Sequence, residues 1–188
     1  EQWYDETGLP WVPPSPNMPT LDTAVVYPGM CLIEGTQLSE GRGTTRPFEN
    51  FGAPYIDPHK LLQRIKKDID KLPGVIFRPQ FFQPMFQKHR GEMCGGLQIH
   101  VTDRSQFKPF LTTLALLRAI ADLYPNDLKW RTEPYEFVSD RLAIDLLYGN
   151  THLRETIFND TFSLDEIENG WQEELNSFKE LRNNYLIY

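Results

Sequence analysis

LQIHVTDRSQFKPFLTTLALLRAIADLY, residues 97–124, joins a strand pattern to a helix pattern. Residues 97–101 alternate apolar and polar side chains, as a half-buried strand does. From about Ser105 to Tyr124 the apolar residues recur at helical spacing and form a broad stripe. Pro109 falls near the first turn of this helix, where proline is tolerated. A strand that leads into a long amphipathic helix indicates a mixed α/β domain.

The segment before this stretch predicts another helix and another strand. Asp57-Pro58 is a helix-start signal, because a capping side chain precedes a proline at the first helical position. Apolar residues then recur at helical spacing until Pro73-Gly74 ends the helix. Residues 75–82 are typical of a strand, and Pro79 within them favours an edge position.

The segment after it predicts two more helices. A shorter helix is expected over about 139–148, ended by Gly149. The last helix begins with the capping-box pattern SLDE, residues 163–166. We expect its buried face to consist of four apolar residues: Ile167, Trp171, Leu175 and Phe178. The predicted fold class is therefore α/β (α+β), a single mixed domain with a small sheet of about four strands flanked by about four helices.

The N-terminal region is rich in proline. Nine of the 15 prolines precede His59, and proline interrupts both helices and central strands. We expect residues 1–58 to form a long, ordered, irregular Pro/Gly-rich region with short strand-like pieces at 23–27 and 30–33. Residues 59–188 form the regular α/β body, and 1–188 is one domain.

Composition excludes several classes of protein. The net charge of −7 argues against a nucleic-acid binder, which needs a basic face. No apolar run approaches the ~20 residues of a membrane helix. Cys31 and Cys94 are too few for a disulfide-rich miniprotein or a four-cysteine zinc site. They form either one disulfide or two buried thiols.

The densest polar segment is EGTQLSEGRGTTRPFE, residues 34–49. Its glycines permit tight turns around Arg42, and a guanidinium suits a carboxylate or phosphate ligand. The alternative is a surface hairpin whose charges pair with one another. A phosphate loop is not supported, because the segment has no lysine and lacks the glycine-lysine order.

A second polar group lies around the strand at 97–101. Gly95-Gly96 suggests a close backbone approach, and Gln98 and His100 share one face of the strand. The alternative is that both face solvent or satisfy backbone groups. The spacing of the histidines and cysteines predicts no metal site. A triad of Ser39, His100 and Asp103 is a weak alternative, because the nucleophile-elbow motif is missing.

Several long motifs resemble a known family. They are WVPPSPNMPT (11–20), YPGMCLIEGTQLSEGRGTTRPFENFGAPYID (27–57), CGGLQIHVTDR (94–104) and FLTTLALLRAIADLYP (110–125). The sequence resembles the C-terminal half of the bacterial exo-β-N-acetylmuramidases, the NamZ/YbbC-like family, over nearly its whole length.

The resemblance implies a glycoside hydrolase that removes N-acetylmuramic acid from the non-reducing end of peptidoglycan fragments. Family members place the active-site cleft between this domain and an N-terminal Rossmann-like domain, which carries a catalytic glutamate and is absent from these 188 residues. We therefore expect the chain to be part of a longer, exported protein and to be inactive alone. The implied partners are that domain and a muramic-acid-containing saccharide, with no cofactor or metal, no nucleic acid and no membrane span.

The resemblance and the chemistry together select site residues. Glu40 is the first candidate for a catalytic carboxylate and Glu34 the second, because glycoside hydrolysis generally needs two carboxyl groups. Arg42 or Arg46 is expected to bind the lactyl carboxylate of muramic acid. The remaining substrate-binding candidates are Thr44, Gln98 and His100.

Two other classes of function stay open. The domain could be a non-catalytic carbohydrate-binding module, in which Glu40 and Arg42 only hold the sugar. It could also be an interaction domain that docks a partner through the aromatic residues Trp3 and Trp11.

Overall fold

A three-stranded antiparallel sheet lies at the centre of the computed structural model, which describes residues 2–187. The strands are β1 (Asn50–Ala53), β2 (Val75–Phe82) and β3 (Cys94–Val101), in the order β1–β3–β2. In the register, Gln98 of β3 pairs with Asn50 on one side and Arg78 on the other. The mixed α/β class is confirmed, as is the edge position of β2. Within residues 2–187 the sheet has three strands and not four.

The glycines of the sheet permit a close approach between β1 and β3. A Cβ atom on Gly96 would lie 1.9 Å from the carbonyl oxygen of Phe51, and one on Gly52 would lie 2.1 Å from that of Gly95. The close approach expected at Gly95-Gly96 is therefore to neighbouring backbone of the same chain.

Helices surround the sheet and build most of the core. The longest, α3, is buried over most of its length and packs on α1 and α2, and α2 in turn packs on β2 and β3. Asp57 caps α2 as predicted, accepting hydrogen bonds from the backbone of His59 and Lys60. Seven α-helices lie within residues 2–187, more than the four expected: α1 (Leu21–Met30), α2 (Pro58–Ile65), α3 (Pro109–Leu123), α4 (Ala143–Tyr148), α5 (His152–Thr156), α6 (Leu164–Gly170) and α7 (Gln172–Asn183).

Residues 2–58 are irregular over much of their length, but the strand character expected at 23–27 and 30–33 is wrong. The two segments expected to be strand-like form α1 and a 3₁₀ turn, Cys31–Gly35. Thr20 caps α1 by accepting a hydrogen bond from the Thr23 N–H. Pro28 is accommodated in the last turn of α1. Because the buried face of α1 and all of β1 belong to the common core, the N-terminal region is part of the domain body.

The C-terminal helix also differs from the prediction. The cap at Ser163 is confirmed, since its hydroxyl accepts a hydrogen bond from the Glu166 N–H. The helix is interrupted at Trp171, so α6 and α7 are separate. Ile167 is buried, whereas Leu175 and Phe178 of α7 are exposed. The single long buried face expected here is wrong.

The structure also bears on the cysteines and the N-terminal aromatics. Cys31 and Cys94 are both free thiols, and Cys94 is buried. Arg104 lies over the ring of Trp3, and the Trp11 indole donates a hydrogen bond to the Pro19 carbonyl oxygen. These tryptophans therefore make contacts within the chain. Within the part described, no helix is long and apolar enough to span a bilayer.

Candidate functional site

Glu34 is positioned by the 3₁₀ turn that continues directly from α1. This turn is held in the core because Gly35 packs against the backbone of Ile144 in α4. The Glu34 side chain is 10% exposed, and its Oε1 atom is buried without a hydrogen-bond partner among residues 2–187. The core thus holds a carboxylate with one unused oxygen.

Glu40 is positioned by the loop that follows. Ser39 exchanges two backbone hydrogen bonds with Gly52 of β1, so this part of the loop is joined to the sheet. The Glu40 carbonyl oxygen accepts a hydrogen bond from the Phe48 N–H and closes the loop. Gly41, which follows, has a φ of +72°, a conformation that glycine adopts easily.

Arg42 links the two carboxylates. Its Nη2 atom lies 3.0 Å from Glu34 Oε2, and its Nε atom lies 2.9 Å from Glu40 Oε1. The second contact is an ion pair rather than an aligned hydrogen bond, because the Nε–H has no hydrogen-bond acceptor within the described part of the chain. Arg42 also lies over the Phe48 ring, 5.2 Å from its centroid. The charges of the loop do pair with one another, but they do so in a largely buried cluster.

Lys88 is a fourth member of the cluster, and no motif in the sequence marks it. It comes from the loop between β2 and β3, and its Nζ atom lies 2.9 Å from Glu40 Oε2. The same ammonium donates to the carbonyl oxygens of Ile33 and Leu38. Burial lowers the pKa of Lys88, and the neighbouring Glu40 opposes that effect. Lys88 therefore connects three segments of the chain: its own loop, the 3₁₀ turn that contains Ile33, and the loop that contains Leu38 and Glu40.

Residues 130–138 form the other wall. The Arg131 N–H donates to the Gly35 carbonyl oxygen, and the Tyr135 hydroxyl lies 3.4 Å from Glu34 Oε2. Burial raises the pKa of Tyr135, so its hydroxyl stays protonated at neutral pH. Arg131 and Tyr135 were also missed, since no motif marks them in the sequence.

These walls enclose a cavity of about 460 Å³, which we call the charged cleft. Burial raises the pKa of Glu34, with Glu40 acting in the same direction and Arg42 opposing it. A carboxyl group with a raised pKa and a free oxygen can act as a general acid. The cleft is lined by four acidic and three basic side chains: Glu34, Glu40, Glu133, Glu136, Arg42, Lys88 and Arg131.

Arg46 and His100 lie elsewhere. Arg46 Nη1 is 3.2 Å from Asp22 Oδ2 and 3.3 Å from Glu49 Oε2. Glu49 and His100 line a separate cavity of about 320 Å³ beside α1 and β3. Burial raises the pKa of Glu49, and a hydrogen bond from Thr23 opposes it. The residues selected from the sequence thus lie in two places: some line the charged cleft, whereas Arg46 and His100 lie at or beside the second cavity.

The buried Glu49 gives a testable pH dependence of stability. Its folded-state pKa lies above its unfolded value, so the folded chain binds the proton more tightly. The free energy of unfolding should fall as pH rises from the ordinary glutamate pKa of about 4.3 through the raised one. For one proton this slope is at most about 1.4 kcal/mol per pH unit.

Urea denaturation at a series of pH values checks this. The free energy of unfolding of Glu49→Gln should fall less steeply with pH over this range than that of the wild-type chain. Part of the fall should remain in the variant, because the pKa of Glu34 is also raised. Identical slopes in the two chains would contradict the assignment to Glu49.

Thr44 and Gln98 also lie outside the lining of the charged cleft. The Thr44 hydroxyl donates to the Gly41 carbonyl oxygen over 2.6 Å. Gln98 Oε1 accepts hydrogen bonds from Arg78 on an open face of the sheet. Both side chains have structural partners within the chain.

The weak triad alternative is not supported by the contacts of its members. The Ser39 hydroxyl oxygen accepts a hydrogen bond from the Gly41 N–H. Both carboxylate oxygens of Asp103 accept hydrogen bonds from the following turn, at Ser105 and Gln106. Among the described residues no cluster of histidine, cysteine, aspartate and glutamate could hold a metal ion.

A buried acid beside fixed ion pairs in a polar cleft is the kind of site that glycoside hydrolases use. Comparison with known sequences identifies the family of the chain. Residues 25–188 match the family model described as exo-beta-N-acetylmuramidase NamZ, C-terminal, and the chain belongs to this family. The resemblance found in the sequence motifs is confirmed.

Individual relatives extend the comparison. The chain is 45% identical over 185 residues to the peptidoglycan beta-N-acetylmuramidase NamZ of Bacillus subtilis (strain 168), covering 98% of this chain and 42% of that protein. Two crystal structures of DUF1343 family proteins from Bacteroides fragilis NCTC 9343 are each 27% identical. Their TM-scores are 0.80 and 0.65, over 98% and 94% of this chain and 47% and 43% of theirs. The chain thus spans less than half the length of these relatives.

Proposed function

We propose that the chain is the C-terminal part of a glycoside hydrolase that releases N-acetylmuramic acid from the non-reducing end of peptidoglycan fragments. The observation that carries this proposal is the 45% identity to a peptidoglycan beta-N-acetylmuramidase over nearly the whole chain. The charged cleft supports it, because it holds a buried carboxyl group with a raised pKa. The protein would act outside the cytoplasmic membrane, where peptidoglycan lies.

The charged cleft would be one wall of the active site, and a preceding domain would supply the other wall. Glycoside hydrolysis generally needs two carboxyl groups on either side of the glycosidic bond. Both oxygens of Glu40 contact cations, whereas Glu34 Oε1 has no hydrogen-bond partner among residues 2–187. We therefore place Glu34 ahead of Glu40 as the carboxyl group contributed from this side, and assign Glu40 to holding Arg42 and Lys88 in place.

The test is direct detection of the product. The intact gene product should release free N-acetylmuramic acid from a muramic-acid-terminated glycan, measured by chromatography and mass spectrometry. The chain of residues 1–188 should release none under the same conditions. An intact protein that binds the glycan without cleaving it would support the carbohydrate-binding alternative, and one that neither binds nor cleaves it would leave an interaction domain.

A further inference from the structure

A substrate carboxylate in the charged cleft requires a cation whose donors are not all engaged within the chain. Arg42 is placed between Glu34 and Glu40, with contacts of 3.0 and 2.9 Å. Withdrawing it would leave the buried carboxylate of Glu34 without this cation, which is costly. Arg46 is paired with Glu49 outside the charged cleft. Arg42 is thus engaged by two carboxylates, and Arg46 lies outside the lining of the charged cleft.

Arg131 also lines the charged cleft, and its contacts within the chain are weaker than those of Arg42. Its Nη2 atom donates to the Pro134 carbonyl oxygen over 3.1 Å. Its Nε atom lies 3.9 Å from Glu133 Oε2, at the outer limit of an ion pair, and the Glu133 side chain is 63% exposed. A guanidinium carries five N–H donors, so these contacts leave donors for a ligand.

The backbone fixes Arg131 beside Glu34. The Arg131 N–H donates to the Gly35 carbonyl oxygen, and the Gln37 N–H donates to the Lys129 carbonyl oxygen, each over 2.9 Å. The guanidinium carbon lies 5.4 Å from the centroid of the Tyr135 ring, whose hydroxyl reaches Glu34. Arg131 is thus attached to the turn that holds the proposed acid and is 30% exposed toward solvent.

We propose that Arg131 determines specificity by binding the lactyl carboxylate of a muramic acid residue in the charged cleft. This inference rests on the proposed function. A planar guanidinium can make two parallel hydrogen bonds to a carboxylate, which lysine cannot. An N-acetylglucosamine residue has no such group, so the contact distinguishes the two sugars.

The test compares two substrates in the intact gene product. One is a chromogenic β-glycoside of N-acetylmuramic acid, and the other is the same glycoside with its lactyl carboxylate converted to the primary amide. The wild-type protein should prefer the acid. Arg131→Ala should lower kcat/KM for the acid about 10- to 100-fold and for the amide less than about threefold, mainly through KM. The kcat/KM of Arg131→Lys for the acid should lie between that of the wild-type protein and that of Arg131→Ala.

Control experiments distinguish a failure of the Arg131 inference from a failure of the proposed function. Arg141→Ala, at an exposed arginine outside the cleft lining, should leave both substrates unaffected. Thermal unfolding establishes that each variant is folded. If Arg131→Ala keeps the preference for the acid, or loses both substrates equally, the Arg131 inference is overturned while the hydrolase function stands. If the wild-type protein cleaves neither glycoside, the function fails and the inference fails with it.

Discussion

Replacing Glu34 by glutamine is expected to lower kcat on a muramic-acid-terminated substrate by about 10²- to 10⁴-fold, the contribution typical of general acid catalysis. Glutamine keeps the shape and the hydrogen bond from Tyr135 but cannot deliver a proton. The buried position of Glu34 raises its pKa, which keeps the carboxyl group protonated at higher pH than usual. The substitution therefore tests proton transfer more than packing.

The measurement is the pH dependence of kcat in the intact gene product. If Glu34 is the acid, the wild-type kcat falls as pH rises through the raised pKa, and this limb disappears in Glu34→Gln. Glu40→Gln is the matched comparison, since it alters a neighbouring carboxylate whose oxygens are already paired. Affinity lost in Glu40→Gln, with turnover retained, supports a positioning role. Turnover retained in Glu34→Gln would remove Glu34 from the chemistry.

Replacing Lys88 by methionine is expected to destabilise the chain by about 3 kcal/mol. Methionine fills a similar volume but leaves Glu40 Oε2 and the carbonyl oxygens of Ile33 and Leu38 without their donor. Buried acceptors left unpaired are costly because water cannot reach them. Arg42 still faces Glu40, so the expected loss of stability is at the lower end of the range for broken buried pairs.

Urea denaturation of the chain measures this effect. Lys108→Met breaks an exposed pair with Glu168 and should cost less than about 1 kcal/mol. The double variant Glu40→Gln/Lys88→Met should be more stable than the sum of the single changes implies, since it no longer leaves a buried charge. A Lys88→Met chain as stable as the Lys108→Met chain would show that the buried contacts contribute little.

The sequence predicted the fold best where local signals agree. Residues 75–82 and 97–101 are strands, and the helices at Pro58 and Pro109 begin with recognisable signals. The helix α1 was missed because valine-rich residues and Pro28 both disfavour helix locally, while its burial against α3 is a tertiary effect. The cap at Thr20 was the signal that could have revealed it.

The candidate site was only partly predictable for a similar reason. Glu34, Glu40 and Arg42 are near one another in the chain, so their grouping followed from one loop. Lys88 and Arg131 join them from distant positions, and a single lysine or arginine in a loop carries no distinctive sequence pattern. Their placement depends on strand pairing and backbone contacts that only the folded chain provides.

The 3₁₀ turn that carries Glu34 follows directly on helix α1, one face of which is buried. Inserting or deleting one residue within this helix would rotate everything beyond it by about 100°. Such a change would turn Glu34 away from its guanidinium partner. The length of the 21–35 segment is therefore expected to stay fixed in any variant that keeps the Glu34–Arg42 pair.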